Sequence, residues 1–340
     1  MQIPVELGQN RYTVMVERGL LSRVGEIFHL ARRVLIVTDS GVPAQYAQTV
    51  AAQCQSPVVV TVPQGEDSKS FMWLETLCRA MLDAHFTRTD CVVAVGGGVV
   101  GDLAGFAAAS FLRGIDFYNI PTTVLSQVDS SVGGKVAVNL AGIKNCVGAF
   151  YQPRGVLVDP TVLDTLSPRH IANGLAEAVK MALTFDGELF SLFETADPTA
   201  HIDTIIARSL AIKAAVVKAD EKEAGLRRVL NFGHTIGHGI ESAGGLHDLY
   251  HGECVALGML PMCSDAVRPR LAAVLGTLGL PTASAVDPEA VWAALSHDKK
   301  LSGDTITVIY CDAVGSYRMQ SLPLADFRET VMSLKGGVTA

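Results

Sequence analysis

The sequence predicts an α/β domain built on a parallel sheet over residues 1–159, followed by a mostly helical domain over 160–340. Three observations carry this. Between residues 33 and 111, short β-branched runs alternate with helix-period segments, the rhythm of βαβ units. From about residue 160 such runs nearly vanish, while apolar positions keep recurring at helical spacing. A chain of 340 residues, 49% hydrophobic and 18% charged, is also large enough for two cores.

The elements follow in order. "MQIPVELGQNRYTVMVE" alternates like a strand and lacks the basic and apolar blocks of a signal peptide. "RVLIVTDSG" (33–41) reads as a strand ending in a turn, and "VPAQYAQTVAAQC" as the helix behind it. "PVVVTVPQGE" (57–66) and "SKSFMWLETLCRAMLDA" repeat the pair. "DCVVAVGGG" (90–98) is a third strand, followed by a helix over 101–111. The stretch 92–112 is long enough to span a bilayer, but Asp102 at its centre would cost a few kcal/mol in lipid. A buried strand, a glycine turn and a buried helix explain it better, so no membrane partner is expected. After "LVDPTVL", the segments "SPRHIANGLAEAVKMALTF", "HIDTIIARSLAIKAAVVKADEKE", "RRVLNFGHTIGHGIES" and "GECVALGMLPMCSDAV" read as helices, with Ser167 before Pro168 as a cap. "DTITVIYCDAVGSYRMQ" reads as a small hairpin.

Net charge is −7 and the pI about 5.7. Such a chain carries no global basic field for nucleic acid, so any anion site must be built locally. Seven cysteines without a C-x-x-C pair, several in apolar runs, read as reduced core residues of a cytoplasmic protein.

"GGGVVG" (96–101) satisfies G-x-G-x-x-G after a strand, but after the third strand and with no acidic residue about twenty positions on. It is therefore Rossmann-like with a non-standard fingerprint. Glycines still let a backbone approach a pyrophosphate, and the following helix N-terminus favours negative charge. Asp39 in "VTDSG", with Glu66 and Lys69 in "QGEDSK", would share the same carboxyl edge of the sheet. Read as turn and capping residues, the same letters need no ligand.

"NFGHTIGHGIE" (231–241) is the most informative stretch of the second half. Taking 225–242 as one helix, Arg227, Asn231, His234, His238 and Glu241 share an arc of roughly 80°. A solvated face is the ordinary reading. Against it, the stripe holds no filler charges, and Gly233, Gly237 and Gly239 weaken a helix by up to about 1 kcal/mol each. Glycines there suggest close approach by a helix or ligand. Glu177 and Lys180 share a face in "GLAEAVKMAL", where a surface ion pair is the ordinary reading, and Lys213 in "LAIKAAVVK" reads as a snorkelling surface lysine. Two histidines with one glutamate suit a catalytic zinc with one position open. Spacing alone favours His234 and His238 as the pair.

Several segments, in order and at near-expected spacing, resemble the 3-dehydroquinate synthase family within the sugar phosphate cyclases. They are "GGGVVGDLAGFAAASFLRGIDFYNIPTTVLSQVDSSVGGKVAVNLAGIKNCVGAFYQP", "LAEAVK", "RRVLNFGHTIGHGIE", "YHGECVALGM" and "HDKK". The resemblance runs from about residue 10 to 330. It implies a dehydroquinate synthase-like fold, with the active site in a cleft, and a homodimeric lyase of the shikimate pathway that needs NAD and Zn2+ or Co2+. The reaction implied converts 3-deoxy-D-arabino-heptulosonate 7-phosphate to 3-dehydroquinate and phosphate. Its steps are transient oxidation by NAD, phosphate elimination, reduction, ring opening and an intramolecular aldol.

Residue by residue, the resemblance implies metal ligation by Glu177, His234 and His251, which displaces the pair that spacing favours and leaves His238 to face the substrate. It implies a catalytic role for Asp129, Lys135, Lys180, Lys213 and His238. Arg227 and Asn231 would hold the substrate carboxylate, and Lys135, Lys144 and Asn145 its hydroxyls and phosphate. Lys180, Lys213 and Lys299 would complete a cationic pocket, and Arg113 would reach the neighbouring subunit's phosphate. NAD contacts would come from Asp39, Glu66, Lys69, Gly97, Gly98, Asp102, Thr122, Thr123, Asp129 and Lys144. There are two departures: "GKVAVN" (134–139) stands where the family commonly has "GKTGVN", and the gap from His238 to His251 is about one residue longer than expected. The rivals are other cyclases, such as 2-deoxy-scyllo-inosose and valiolone-type synthases, whose substrates lack the carboxylate that Arg227 and Asn231 would hold. Metal-dependent polyol dehydrogenases, which would release NADH, and a non-catalytic binding module are further alternatives.

Overall fold

A computed structural model of the chain describes residues 1–243, 249–296 and 305–336. The N-terminal strand expected from alternation is two strands, β1 (Gln2–Val5) and β2 (Tyr12–Val16), paired antiparallel. Next come β3 (Arg33–Asp39), β4 (Ser56–Val62), β5 (Cys91–Gly96) and β6 (Asp116–Pro121). A separate hairpin, β7 (Lys135–Leu140) with β8 (Ile143–Phe150), precedes β9 (Gly155–Val158). The sheet order is β1-β2-β9-β6-β5-β3-β4, parallel throughout except at β1.

Burial follows from place in the sheet. β5 is buried at every position and β3 at all but its first, so both read as unbroken apolar runs. β4 lies at the edge, with Val58 and Val60 half-buried and Val59 exposed, and only Val62 fully buried. The helices of this region are α1 (Val24–Ile27), α2 (Ala44–Ala51), α3 (Phe71–Asp83) and α4 (Gly98–Ser110). Ser70 caps α3 by accepting the Trp73 N–H. Strand order reverses between β3 and β5, the switch point where open α/β sheets bind ligands at their carboxyl ends. Asp39 ends β3, and the glycine turn follows β5.

The remaining helices are α5 (Pro168–Phe185), α6 (Gly187–Thr195), α7 (Ile202–Ala219), α8 (His234–Ala243), α9 (His251–Met259), α10 (Arg268–Thr277), α11 (Pro288–Ser296) and α12 (Leu324–Met332). The late hairpin is β10 (Thr305–Tyr310) with β11 (Arg318–Pro323), as the alternation predicts. Two compact units result: Met1–Ser167 with Lys213–Lys222, and Pro168–Ile212 with Glu223 onward. A single cut at 159/160 misses this return of the chain, because the bond from Lys213 to Asp129 joins residues far apart in sequence. No described helix is long and apolar enough to cross a membrane.

The expectation of one helix over 225–242 is corrected. Leu226–Asn231 is a 3-10 helix, Phe232 and Gly233 form a turn, and α8 begins only at His234. The break falls at Gly233, whose φ of +77° lies in the left-handed region that favours glycine. The closeness that the glycines suggested is real and comes from helices. A Cβ on Gly237 would lie 2.9 Å from the Cys254 carbonyl oxygen of α9, and one on Gly239 would lie 2.8 Å from Val291 of α11. A Cβ on Gly258 would overlap the Gly233 carbonyl. Gly258→Ala is therefore expected to cost roughly 1–3 kcal/mol by prying α8 from α9. Thermal unfolding of the variant at the wild-type midpoint would contradict this packing.

Candidate metal centre and cofactor loop

α5 is buried continuously from Ala172 to Thr184, so its charged residues enter the core with it. Glu177 and Lys180, read from sequence as a surface ion pair, are 0% and 1% exposed, with Lys180 Nζ 2.5 Å from Glu177 Oε2. Burying two charges is costly unless each meets a partner. The other carboxylate oxygen, Oε1, lies 3.3 Å from His234 Nε2 and 3.4 Å from His251 Nε2. Both oxygens are sealed from solvent, and neither receives a hydrogen bond of acceptable geometry. A buried carboxylate paired with Lys180 on one oxygen and facing two imidazole nitrogens with the other is a donor set that suits a cation.

The ring geometry agrees. His234 Nδ1 lies 3.2 Å from the Phe232 carbonyl, which leaves Nε2 for ligation. The ring centroids of His234, His238 and His251 are 5.3, 5.2 and 5.8 Å apart, and one nitrogen from each lies within 4.8 Å of the others. His238 thus stands beside the Glu177–His234–His251 set, and His234–His238–His251 is a second candidate set.

Burial works against the Glu177 charge, but Lys180 and His251 outweigh it and hold the carboxyl down at about 2. Burial likewise opposes protonation of His251, yet Glu177 and Glu241 raise it to about 9. Of the remaining stripe, Arg227 is 3% exposed, and Asn231 Nδ2 donates to Glu223 Oε1 at 2.5 Å. Glu223 was not singled out from sequence. It lies four residues before Arg227 in "KADEKEAG", where Asp220, Glu221 and Glu223 are half-buried.

The first unit builds its own cluster. Lys213, read from sequence as a snorkelling surface lysine, is 6% exposed. Its Nζ donates to the Asp129 carbonyl at 2.7 Å and to the Asp129 carboxylate. Ser126–Ser130 forms a π-helix around Asp129, an irregularity frequent at functional sites. Lys69, 4% exposed, pairs with Asp102 at 2.7 Å, lies 3.7 Å from Glu66 and donates to Asn145. Burial depresses the Lys69 ammonium, but Asp102 and Glu66 more than compensate and its pKa is raised. At Asp102, burial prevails over Lys69 and the carboxyl is raised.

Asn139 joins this cluster and sequence reasoning missed it. Its side chain donates to Glu66 at 2.8 Å and accepts the Asn145 N–H at 2.8 Å, while its own N–H donates to the Lys69 carbonyl. The signal for it in the sequence is the lone amide that ends "KVAVN". At the glycine turn, a Cβ on Gly97 would come 3.2 Å from Thr123, and one on Gly98 would come 3.1 Å from Ser130. Thr122 donates its N–H to the Gly96 carbonyl. Asp39 accepts the Gly41 and Val42 amides, so its turn role is real. Lys135 and Arg113 are exposed and Lys144 is half-buried. Arg113 and the preceding Leu112 both have positive φ, at 70° and 50°, a strain that persists only where its surroundings impose it. Lys299 lies outside the described residues.

Solved structures share this fold across nearly the whole chain. A 2-epi-5-epi-valiolone synthase from Streptomyces hygroscopicus subsp. jinggangensis, with NAD+ and Zn2+ bound, superposes with a TM-score of 0.86 at 28% identity, covering 97% of each chain. A 2-deoxy-scyllo-inosose synthase complexed with carbaglucose-6-phosphate, NAD+ and Co2+ gives a TM-score of 0.88 at 24% identity, covering 98% of this chain and 100% of that one. The fold class is therefore that of the dehydroquinate synthase-like sugar phosphate cyclases. Within it, the family descriptions "3-dehydroquinate synthase N-terminal" and "3-dehydroquinate synthase C-terminal" match residues 59–173 and 174–301. The 3-dehydroquinate synthase of Latilactobacillus sakei is 42% identical over 343 residues, 96% of each chain. The chain belongs to the 3-dehydroquinate synthase family.

Proposed function

We propose that the chain converts 3-deoxy-D-arabino-heptulosonate 7-phosphate to 3-dehydroquinate and phosphate, with NAD and a divalent cation, Zn2+ or Co2+, as cofactors. The observation that carries the metal is the convergence of His234 and His251 on the fully buried carboxylate of Glu177. These three residues hold the cation, and His238 beside them is left to handle a substrate proton. NAD is supported by the glycine turn at the switch point, where side chains at Gly97 and Gly98 would crowd Thr123 and Ser130. Asp39, Glu66, Lys69, Asp102, Thr122, Thr123, Asp129 and Lys144 complete its contacts.

When bound, NAD takes and returns a hydride, and the cation acts as a Lewis acid towards substrate hydroxyls. The chain's own groups hold the substrate through elimination, ring opening and aldol closure, which is largely positioning and charge stabilisation. Arg227 and Asn231 hold the carboxylate, with arginine suited to a bidentate grip. Lys135, Lys144, Asn145 and Lys299 meet hydroxyls and phosphate. Lys180 and Lys213, each buried against a carboxylate, supply fixed positive charge, and Asp129 fixes Lys213. On the family resemblance, Arg113 is offered to a second copy of the chain in a homodimer, and the seven cysteines, all free, agree with a reducing cytoplasm.

Phosphate release from the heptulosonate phosphate is expected to stop on removal of either cofactor and to return on adding back NAD with zinc or cobalt. No net NADH should accumulate, which separates this activity from a polyol dehydrogenase. Full turnover by protein shown to be metal-free would refute the assignment.

Metal binding should also depend on pH through His251. Its pKa in the metal-free protein, about 9, lies above the ordinary 6.5. The ring is therefore protonated at neutral pH and must lose that proton to ligate. The associated stability of the metal-free protein is complete below pH 6.5 and lost as pH rises through 9. Zinc affinity is expected to climb about tenfold per pH unit from pH 7 towards 9 and then level off. Calorimetry in buffers of different ionisation enthalpy should count about one proton released by His251 per metal at neutral pH. Binding without proton release would contradict this.

A further inference from the structure

The metal ligands come from three helices, so the site works only if α9 enters at a fixed angle to α5. The structure shows two devices that set this, and neither belongs to the ligand set. Asn173 lies four residues before Glu177 on α5, hence one turn away on the same face. Its Oδ1 accepts the Gly252 N–H at 2.6 Å in a buried contact. That N–H is one of the donors at the start of α9 that have no acceptor within the helix, immediately after His251. A Cβ on Gly252 would overlap the Asn173 carbonyl, so the two backbones meet here. Arg169, one turn further back, grips Glu253 through two bonds of 2.7 and 2.8 Å and lies 4.1 Å over the Tyr250 ring. Residues on both sides of His251 are thus tied to the helix that carries Glu177.

The second device acts on the ring. Glu241 of α8, seven residues after His234, places Oε2 3.6 Å from His251 Nδ1. With Nε2 turned to Glu177 at 3.4 Å, the imidazole lies between two carboxylates. A carboxylate behind a ligating histidine fixes ring orientation and raises its basicity.

We propose that Asn173 and Glu241 are positioning residues of the metal centre, acting through His251: Asn173 sets the backbone that carries the ring, and Glu241 sets its rotation. This rests on the reading of Glu177, His234 and His251 as ligands. Neither residue touches the cation or the substrate. Their loss weakens and distorts coordination and leaves the dinucleotide site of the first unit unchanged.

The test is Co2+ titration of the full-length protein, read by visible absorption and by competition with a chromophoric chelator, with NAD binding and thermal unfolding measured alongside. Asn173→Ala and Glu241→Ala are each expected to raise the Co2+ dissociation constant about 10- to 100-fold and to alter the cobalt spectrum. Asn173→Asp and Glu241→Gln, which keep an acceptor in place, should recover most of both. NAD affinity should stay within about twofold of wild type, a scatter of roughly 0.4 kcal/mol. Should Asn173→Ala fail to fold, Glu241→Ala and Asn173→Asp still decide the matter. Wild-type cobalt affinity and spectrum in Glu241→Ala, or in a folded Asn173→Ala, would overturn the inference while the ligand assignment stands. If Glu177→Gln binds Co2+ as tightly as wild type, the ligand assignment fails and the inference falls with it.

Discussion

Glu177→Gln is expected to yield a protein that no longer retains a divalent ion and turns over roughly 10³-fold more slowly, since Lewis-acid stabilisation supplies several kcal/mol. The amide keeps the side chain's shape and removes its charge. Lys180, 2.5 Å away and 1% exposed, loses its counter-charge, and His251 loses one of its two acidic partners. Metal content after dialysis, measured with phosphate release, checks the prediction. Near-UV circular dichroism separates lost ligation from lost folding. His238→Ala is expected to keep its metal and lose activity, which discriminates the two overlapping ligand sets. If Glu177→Gln holds metal and His238→Ala does not, the three imidazoles are the ligands.

The second large effect concerns stability. Lys69→Met removes the ammonium between Asp102, Glu66 and Asn145 and leaves a partly buried acidic group without its cation. Breaking such a pair costs roughly 3–5 kcal/mol. For a unit of this size that is a fall in unfolding midpoint on the order of 10 °C. The pH dependence has a definite sign. Burial already raises the Asp102 pKa, and losing Lys69 raises it further. A group whose folded pKa is raised contributes full stability below its unfolded pKa and loses it as pH rises. The deficit of Lys69→Met should therefore widen as pH rises above the ordinary carboxylate range, and adding Asp102→Asn should shrink it. A deficit independent of pH would show that Lys69 acts by packing alone.

Much of this fold was legible in the letters. β3 and β5 announce themselves because a strand covered on both faces must be apolar throughout, and the glycine turn marks where a helix starts close to a strand end. The hairpin of β7 and β8 was not legible, because "KVAVNLAGIKNCVGAF" mixes strand alternation with glycines that also suit a loop. β9 was missed for its brevity, four residues before a proline. The helix assumed over 225–242 failed at Gly233, because a periodic pattern carries no sign of which glycine adopts a positive φ.

The site shows the same division. The sequence by itself determined which residues are available: a polar stripe with two histidines, a glutamate and lysine one turn apart, an isolated lysine in an apolar helix, and an order of motifs that resembles one family. Its spacing rules paired His234 with His238, because four residues on one helix is the only proximity that a linear pattern expresses. Only the tertiary structure decided that Glu177 Oε1 stands 3.3 Å from His234 and 3.4 Å from His251, residues from three helices. It also turned two lysines that read as surface residues into buried partners of Glu177 and Asp129. The reason is physical. Period and propensity act within a few residues, whereas the cost of burying charge is met by whichever partner the packing of distant segments supplies.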